Sequence, residues 1–519
     1  RKYFFRNINW VGNTKYTSQA LSLVLGIKKG DVYDNSVLND KLFVSENAVS
    51  SLYLDDGYLF FNVTPVEVLV ENDSIDIEMR MYEGKQATVN KVIITGNTRT
   101  NEHVIRREIR TKPGQLFSRS DIIRSNRELA TLGFFDPEKL DVKPTPNPSD
   151  GTVDLEYIVE EKASDQLELS GGWGGGMVIG TLGVTFNNFS VRNILKGEAW
   201  HPLPTGDGQK LMIRAQTNGT YYQAYSISFV EPWLGGRKPN SLSVSAYHTI
   251  RSSGKLYNYE QAMKVSGVSV GLGRRVTWPD DFFVLSHDLS FQRYTLENYA
   301  EGYFLFTNGK SNNISLTTTL SRNSMDQPIY PRRGSLFSLS CQVTPPYSLF
   351  DNYDYTKLPT EEKYKWIEYH KWKFKSSWFT NVVDKLVLNT RAEFGYIGYY
   401  NKEIGQSPFE TFQLGGDGLS GYSYYGTEII GLRGYDNGPN NRGSITPYNQ
   451  LGNLYDKFTL ELRYPLALQP SSTIYVHTFV EGGMAWNQAK EFNPFHIKRS
   501  AGMGFRIFLP MIGVLGLDW

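Results

Sequence analysis

Two periodicities divide the chain. Up to about residue 162, apolar residues return at helical spacing between short alternating runs, and from about Asp165 onward a period of two takes over. The first part reads strand, helix, helix, strand, strand, and it does so twice. Ile8-Asn9-Trp10-Val11-Gly12-Asn13-Thr14 returns as Ile93-Ile94-Thr95-Gly96-Asn97-Thr98, with the two glycines 84 residues apart (96 − 12). In each copy a strand ends at this turn. A first helix follows (Ser18–Leu25; Asn101–Arg110) and stops at Lys28-Lys29-Gly30 or Lys112-Pro113-Gly114. A second helix is predicted over Val37–Leu54 and Ser120–Leu132. Then Gly57-Tyr58 or Gly133-Phe134 opens a hairpin whose strands include Ile75-Asp76-Ile77-Glu78 and Val153-Asp154-Leu155-Glu156. A period near 80 is too long for a solenoid unit and suits a small duplicated α+β domain, at 1–86 and 87–162.

The remainder, 163–519, is expected to be all-β. In Lys363 to Lys375 the even positions Tyr364, Trp366, Trp372 and Phe374 are aromatic, while the odd positions Lys363, Lys365, Lys371, Lys373 and Lys375 are cationic. The parity breaks between Ile367 and His370, which marks a bulge or a strand leaving the membrane. Phe458 to Tyr464 repeats the pattern with Glu461 and Arg463 on the wet face. About fifteen strands are expected, among them 165–173, 177–189, 363–382, 456–468, 472–486, 498–509 and 513–519. Gly171 and Gly172 weaken the first of these and favour fraying. Between two strands lies one long connection, 401–455, with glycines around Leu432-Arg433-Gly434-Tyr435. Connections of that length are usually functional. Folded into the lumen, it would place the planar fork of Arg433 between Glu461 and Glu481, which face inward by parity. Left outside, it would be a loop with a solvated arginine.

Composition sharpens this. Tyr 33, Phe 29, Trp 10 and Gly 48 occur at a mean hydropathy of −0.39. That combination fits a membrane barrel, where lipid-facing apolar and lumen-facing polar residues average out. No run approaches the ~18–20 apolar residues of a membrane helix. The net charge of +1 and pI near 7.8 give no support to nucleic-acid binding. The single cysteine, Cys341, excludes an internal disulfide framework. Opening at Arg1 without methionine or signal peptide implies a processed chain or a fragment. The seven histidines show no metal-ligand spacing, and neither a G-x-S-x-G elbow nor a Walker or Rossmann fingerprint occurs. Gly171 to Gly176 lacks the lysine and helix of a phosphate cradle, and His287-Asp288 on a strand point to opposite faces. No catalytic residue, cofactor or metal is expected, although an outer-membrane hydrolase stays a weak alternative.

The two repeats resemble POTRA domains, and Leu432-Arg433-Gly434-Tyr435 matches the [VL]-R-G-[FY] motif of the BamA family, the central subunits of the β-barrel assembly machinery. Phe229-Val230-Glu231-Pro232-Trp233 and Ile329-Tyr330-Pro331-Arg332-Arg333-Gly334 resemble two further barrel segments of that family, so the likeness covers essentially the whole chain. It implies a sixteen-stranded transmembrane barrel whose first and last strands pair poorly as a lateral gate, with Leu167, Leu169, Gly171 and Gly172 on the gate strand. It also implies folding and insertion of outer-membrane proteins without ATP, in a Gram-negative outer membrane with the POTRA domains in the periplasm. The implied partners are unfolded barrel clients, accessory lipoproteins on the POTRA domains (chiefly 89–161) and outer-membrane lipids. Two features depart from the pattern. The family usually carries five POTRA domains, not two, and 513–519 counts as the fifteenth strand, so a sixteenth is expected to be missing. The alternative within the same fold is a two-partner secretion transporter, although no plug helix precedes the first repeat. A passive porin fits the repeats less well.

Overall fold

The computed structural model describes residues 2–45, 47–162, 164–174, 177–200, 202–217, 222–252, 261–299, 305–327, 329–351, 353–383, 385–416, 427–435, 452–469, 472–509 and 513–519, without the side chains of 169–179 and 509–514. The chain forms two compact units, 1–165 with 186–209, and 166–185 with 210–519.

The first unit contains both repeats. Copy one comprises β1 (Phe4–Val11), α1 (Ser18–Leu25), α2 (Asn35–Asn39), α3 (Val49–Asp55), β2 (Asn62–Glu71) and β3 (Ser74–Tyr82). Copy two comprises β4 (Thr88–Thr95), α4 (Glu102–Arg106), α5 (Arg119–Thr131), β5 (Asp141–Asn147) and β6 (Thr152–Ile158). In each sheet the last strand lies in the middle, parallel to the first and antiparallel to the second. The helices cover one face. Leu21, Leu25, Leu42, Val49 and Tyr53 pack on Ile75, Ile77 and Met79; Val104, Ile105 and Leu129 pack with Val153, Leu155 and Tyr157.

The helix expected over Val37–Leu54 is broken. After α2 the chain makes one π-helical turn, Asp40–Val44, and Ser45 is extended at ψ 151°. The positions three and four beyond buried Leu42 are Ser45 and Glu46, so a continued helix would have no apolar group to bury there. Helix formation resumes at Val49. The helix expected over Asn101–Arg110 is likewise only Glu102–Arg106, and the Arg110 N–H turns to the Ser125 hydroxyl at 2.9 Å.

The Gly-Asn-Thr repeat has an atomic cause. Gly12 and Gly96 sit at φ +91° and +93°, and a Cβ on either would strike the Met81 or Val159 carbonyl oxygen. Beyond each glycine one carboxylate gathers the turn. Glu83 accepts from the Thr14 N–H and hydroxyl and the Lys15 N–H, and Glu161 from the Thr98 N–H and hydroxyl and the Arg99 and Thr100 N–H groups. Burial works against charge on both, but these bonds win and hold both pKa values below the ordinary 4.5. A depressed folded pKa gives stability that is complete above ~4.5 and lost as pH falls through the lower folded value. Glu161→Gln should therefore speed amide exchange at Thr98–Thr100 roughly tenfold at pH 7, for a loss of ~1–1.5 kcal/mol. The gap from the parent protein should close under acid. An unchanged exchange rate at pH 7 would remove the carboxylate from this account.

Among the described residues the second unit is a barrel sheet of fifteen strands with antiparallel ladders. Its first eight are β7 (Gln166–Gly174), β8 (Met177–Phe189), β9 (Gln209–Thr217), β10 (Tyr222–Glu231), β11 (Asn240–Ser252), β12 (Ala262–Val276), β13 (Phe283–Glu297) and β14 (Gly309–Asn323). They continue through β15 (Gly334–Val343), β16 (His370–Val383) and β17 (Leu386–Gly398). A separate parallel pair, β18 (Thr411–Leu414) and β19 (Thr427–Ile430), interrupts the order before β20 (Leu454–Gln469), β21 (Ser472–Trp486), β22 (Lys498–Leu509) and β23 (Gly513–Asp518) close it. No helix among the described residues is long and apolar enough to cross a membrane.

Alternation sorts the faces. On β20, Leu460, Leu462 and Tyr464 are exposed while Thr459, Glu461 and Arg463 are buried. On β16, Trp372 and Trp378 point out, bracketing roughly 20 Å of strand at ~3.3 Å per residue. The strand expected over 363–382 starts only at His370. Thr360–Lys363 is a helical turn (α6), and 364–369 runs beside β14 through the Asn312–Trp366 bridge. The parity break at 367–370 marks the start of the strand, and Lys363 and Lys365 do not share the cationic face of Lys371, Lys373 and Lys375.

β7 and β23 are the sheet edges, and among the described residues no ladder joins them. Among the described residues the sheet has fifteen strands, and the sixteenth that the family resemblance implies is not one of them. β7 pairs with β8 without interruption from Gln166 to Gly174.

Candidate functional site

The connection 401–455 holds a small parallel sheet fastened to the inner wall. Thr411, Phe412, Gln413 and Leu414 of β18 are all buried. Phe412 exchanges backbone bonds with Gly452 at 2.6 and 2.9 Å, and its ring meets Tyr455 edge-on at 4.7 Å. β17 passes behind with Gly395, where a Cβ would fall 2.2 Å from the Tyr455 ring. β19 then delivers Leu432, fully buried beside Leu414 and Tyr455, and Gly434 turns the chain at φ +85°. The Tyr435 hydroxyl donates to the Arg499 carbonyl at 2.8 Å.

Arg433 lands in the centre. Its Nη2 donates to Glu481 Oε1 at 2.6 Å and lies 3.5 Å from Glu461 Oε2, while its own N–H donates to Glu481 Oε2 at 3.1 Å. Its guanidinium carbon stacks 3.4 Å from the centroid of Phe479. Glu461 is shared with Arg463 at 2.5 Å and Arg391 at 3.4 Å, and Glu481 lies 3.6 Å from Lys457. Leu432, Arg433, Glu461 and Glu481 thus converge. Gly434 supplies the turn and Tyr435 a separate anchor.

Three partners have no signal in local sequence. Asp518 on β23 reaches Arg506 at 2.6 Å, His477 at 3.1 Å and Arg433 at 3.5 Å. Gly502 and Gly504 make room for this layer, since a Cβ there would strike the Phe479 and His477 rings. Glu428 and Glu410 hold the lysines of β16. Lys371 lies 2.9 Å from Glu410 and 3.2 Å from Glu428, and Lys373 3.0 Å from Glu428. The row of lysines in the sequence was the available cue, because a cationic inner wall needs carboxylates from somewhere. Glu428→Gln should cost ~1.5–3 kcal/mol in charge-assisted bonds and free β19 from the wall. Limited proteolysis within 411–435 of the folded barrel is expected to accelerate, and an unchanged rate would show that the backbone alone holds β19.

Leu167 and Leu169 lie on β7 opposite Val184 and Leu182, and Gly171 and Gly172 opposite Gly180 and Ile179. Leu167 is 70% exposed, and the side chain of Leu169 is outside the described residues. None of the ion pairs described for Arg433 involves these four residues of β7. Among the described residues each edge strand has one ladder and a carboxylate contact: Glu168 of β7 to Arg214 at 3.0 Å, and Asp518 of β23 to its three partners.

Comparison with known proteins agrees with this architecture. The profile of the Omp85 superfamily domain matches residues 205–519, and that of the surface antigen variable number repeat, a POTRA family, matches 3–84 and 87–162. The chain is similar to outer membrane protein assembly factor BamA of Neisseria meningitidis serogroup B (strain ATCC BAA-335 / MC58), 24% identical over 92% of this chain and 56% of that protein. Over 30% of this chain and 20% of the relative it is 34% identical to the factor of the same name from Neorickettsia risticii (strain Illinois). The chain thus spans about half the length, or less, of these curated relatives. Among solved structures, BamA from Haemophilus ducreyi lacking POTRA domains 1–3 superposes with a TM-score of 0.57 at 19% identity, covering 100% of this chain and 96% of that one. CdiB from Escherichia coli superposes at 0.51 and 14% identity, covering 98% and 84%. With a family profile matched across the greater part of its length, the chain belongs to the Omp85 superfamily.

Proposed function

We propose that this protein folds and inserts β-barrel proteins into a Gram-negative outer membrane, with its POTRA domains in the periplasm. The observation that carries the reading is the seam, where among the described residues β7 and β23 each have one ladder neighbour and present a second backbone edge. In hydrocarbon an unpaired backbone group costs several kcal/mol, so a client strand that pairs with such an edge gains what it would otherwise lose. The exchange is driven by hydrogen bonding and burial and needs neither ATP nor a catalytic residue. Arg433 holds the inner segment against β20 and β21 and reaches Asp518, which ties the inner layer to the last strand. Accessory lipoproteins would dock on the second POTRA domain, and outer-membrane lipids would surround the barrel.

Depleting the full-length protein should lower the folded amounts of many unrelated barrel proteins together. Loss of one secreted protein with the rest unchanged would favour export through the lumen. Deleting 89–161 should abolish capture of the accessory lipoproteins while the barrel still shows folded, heat-modifiable mobility. Undiminished capture of every partner would place the docking surface elsewhere.

A further inference from the structure

The outward face of β10–β14 changes character in a single step. One cross-strand row runs Tyr225, His248, Ser266, Arg293, Asn312 and on to the Trp366 bridge. The next row toward the middle of the sheet is Ile227, Ala246, Val268, Phe291 and Ile314, entirely apolar. Tyr225 is 50% and Trp366 38% exposed, so the polar row carries the aromatic markers of a membrane–water boundary. Below it lies an open groove of about 520 Å³, floored by Ala246 between Ile213, Ile227, Val268 and Phe291 and ending at His248.

Among the described residues the polar row is cationic without a compensating carboxylate. Arg293 is exposed, and its Nε donates to Asn312 Oδ1 at 3.0 Å. Lys310 follows one row further out, also exposed. Among the described residues no carboxylate pairs with either, because the nearby Glu297 is taken by Lys264 at 2.7 Å. His248 and Ser266 bond each other at 2.8 Å beside Arg293. An unneutralised guanidinium at a headgroup level, directly above an apolar groove, matches a phosphate joined to acyl chains.

We infer that this face is a binding site for a phosphorylated, multiply acylated glycolipid of the outer leaflet, with Arg293 on a phosphate and one acyl chain in the groove over Ala246. The choice of leaflet rests on the reading under Proposed function. The row lies toward the β7–β8 hairpin end of the sheet, opposite the end at which β7 begins, and so faces outward if the POTRA domains are periplasmic.

The test uses the purified full chain, shown folded by its heat-modifiable mobility, and native mass spectrometry with three probes: bisphosphorylated lipid A, its dephosphorylated form and phosphatidylglycerol. Lipid A should be retained best. Arg293→Gln should lower its retention about tenfold, as for loss of one charge-assisted contact. Ala246→Phe fills the groove with the cations intact and should lower retention of both lipid A forms. If Arg293→Gln does not fold, Lys310→Gln tests the same charge and should lower retention to a smaller degree. Retention unchanged in the folded variants, or phosphatidylglycerol held as well as lipid A, would overturn the assignment. Client assembly is scored separately in the same variants, so failure of the lipid site and failure of the assembly function give different results.

Discussion

Arg433→Ala is expected to lower the stability of the folded barrel by about 3–5 kcal/mol, the range for removing one partner of a buried ion pair. The guanidinium is 14% exposed, and its carboxylate partners Glu481 and Glu461 are 2% and 5% exposed. Glu481 depends on it most, keeping Lys457 at 3.6 Å and the backbone N–H of residue 433. Glu461 retains Arg463 and Arg391, so its loss is smaller. The stack on Phe479 at 3.4 Å disappears as well. Arg433→Lys should rescue only part, because an ammonium cannot span Glu481 and Glu461 while lying flat on a ring. Heat-modifiable gel mobility reports this, with the transition falling in the order parent, Arg433→Lys, Arg433→Ala. Glu481→Gln combined with Arg433→Ala should cost less than the sum of the two, since the groups share one interaction. Strictly additive losses, or an alanine variant as heat-stable as the parent, would reduce the arginine to a bystander.

A covalent lock across the seam should abolish assembly altogether while leaving the barrel folded. Leu167 of β7 and Leu517 of β23 are 70% and 61% exposed and face outward, so cysteines there are accessible to a bifunctional thiol reagent. Cys341, the one native thiol, is first replaced by serine. With the edges bridged, a client strand has no free backbone ladder to join, and each group left bare in hydrocarbon costs several kcal/mol. Reversal of a cleavable bridge should restore function. Normal assembly by a fully bridged population would mean that clients enter elsewhere.

Strand placement was legible because alternation is local. The spans 177–189, 472–486 and 498–509 agree with β8, β21 and β22 to the residue. It failed where tertiary context overrides pattern. Lys363 and Lys365 continue the alternation of β16, yet they precede the strand, because the segment 364–369 pairs with β14 instead. β18 and β19 are parallel, and such pairing between segments sixteen residues apart leaves no mark in either segment alone. Parity alone puts Glu461 and Glu481 on the inner wall. Asp518, His477 and Phe479 become neighbours of Arg433 only through the register of β21, β22 and β23, which a single sequence does not encode visibly. Glu428 was hidden for the same reason. Its lysine partners were plain, but the carboxylate came from β19 in the long connection, some fifty residues along the chain.

The central claim is that client strands join this barrel at its open edge, and site-specific crosslinking during assembly tests it most directly. A cysteine at Leu167 on β7 is compared with one at Leu316 on β14, which is 43% exposed on the same outward face but lies seven strands away. A client bearing a cysteine in its terminal strand should crosslink to position 167 while it folds and lose that crosslink when released, with background levels at 316. Equal crosslinking at both positions would contradict insertion at the seam.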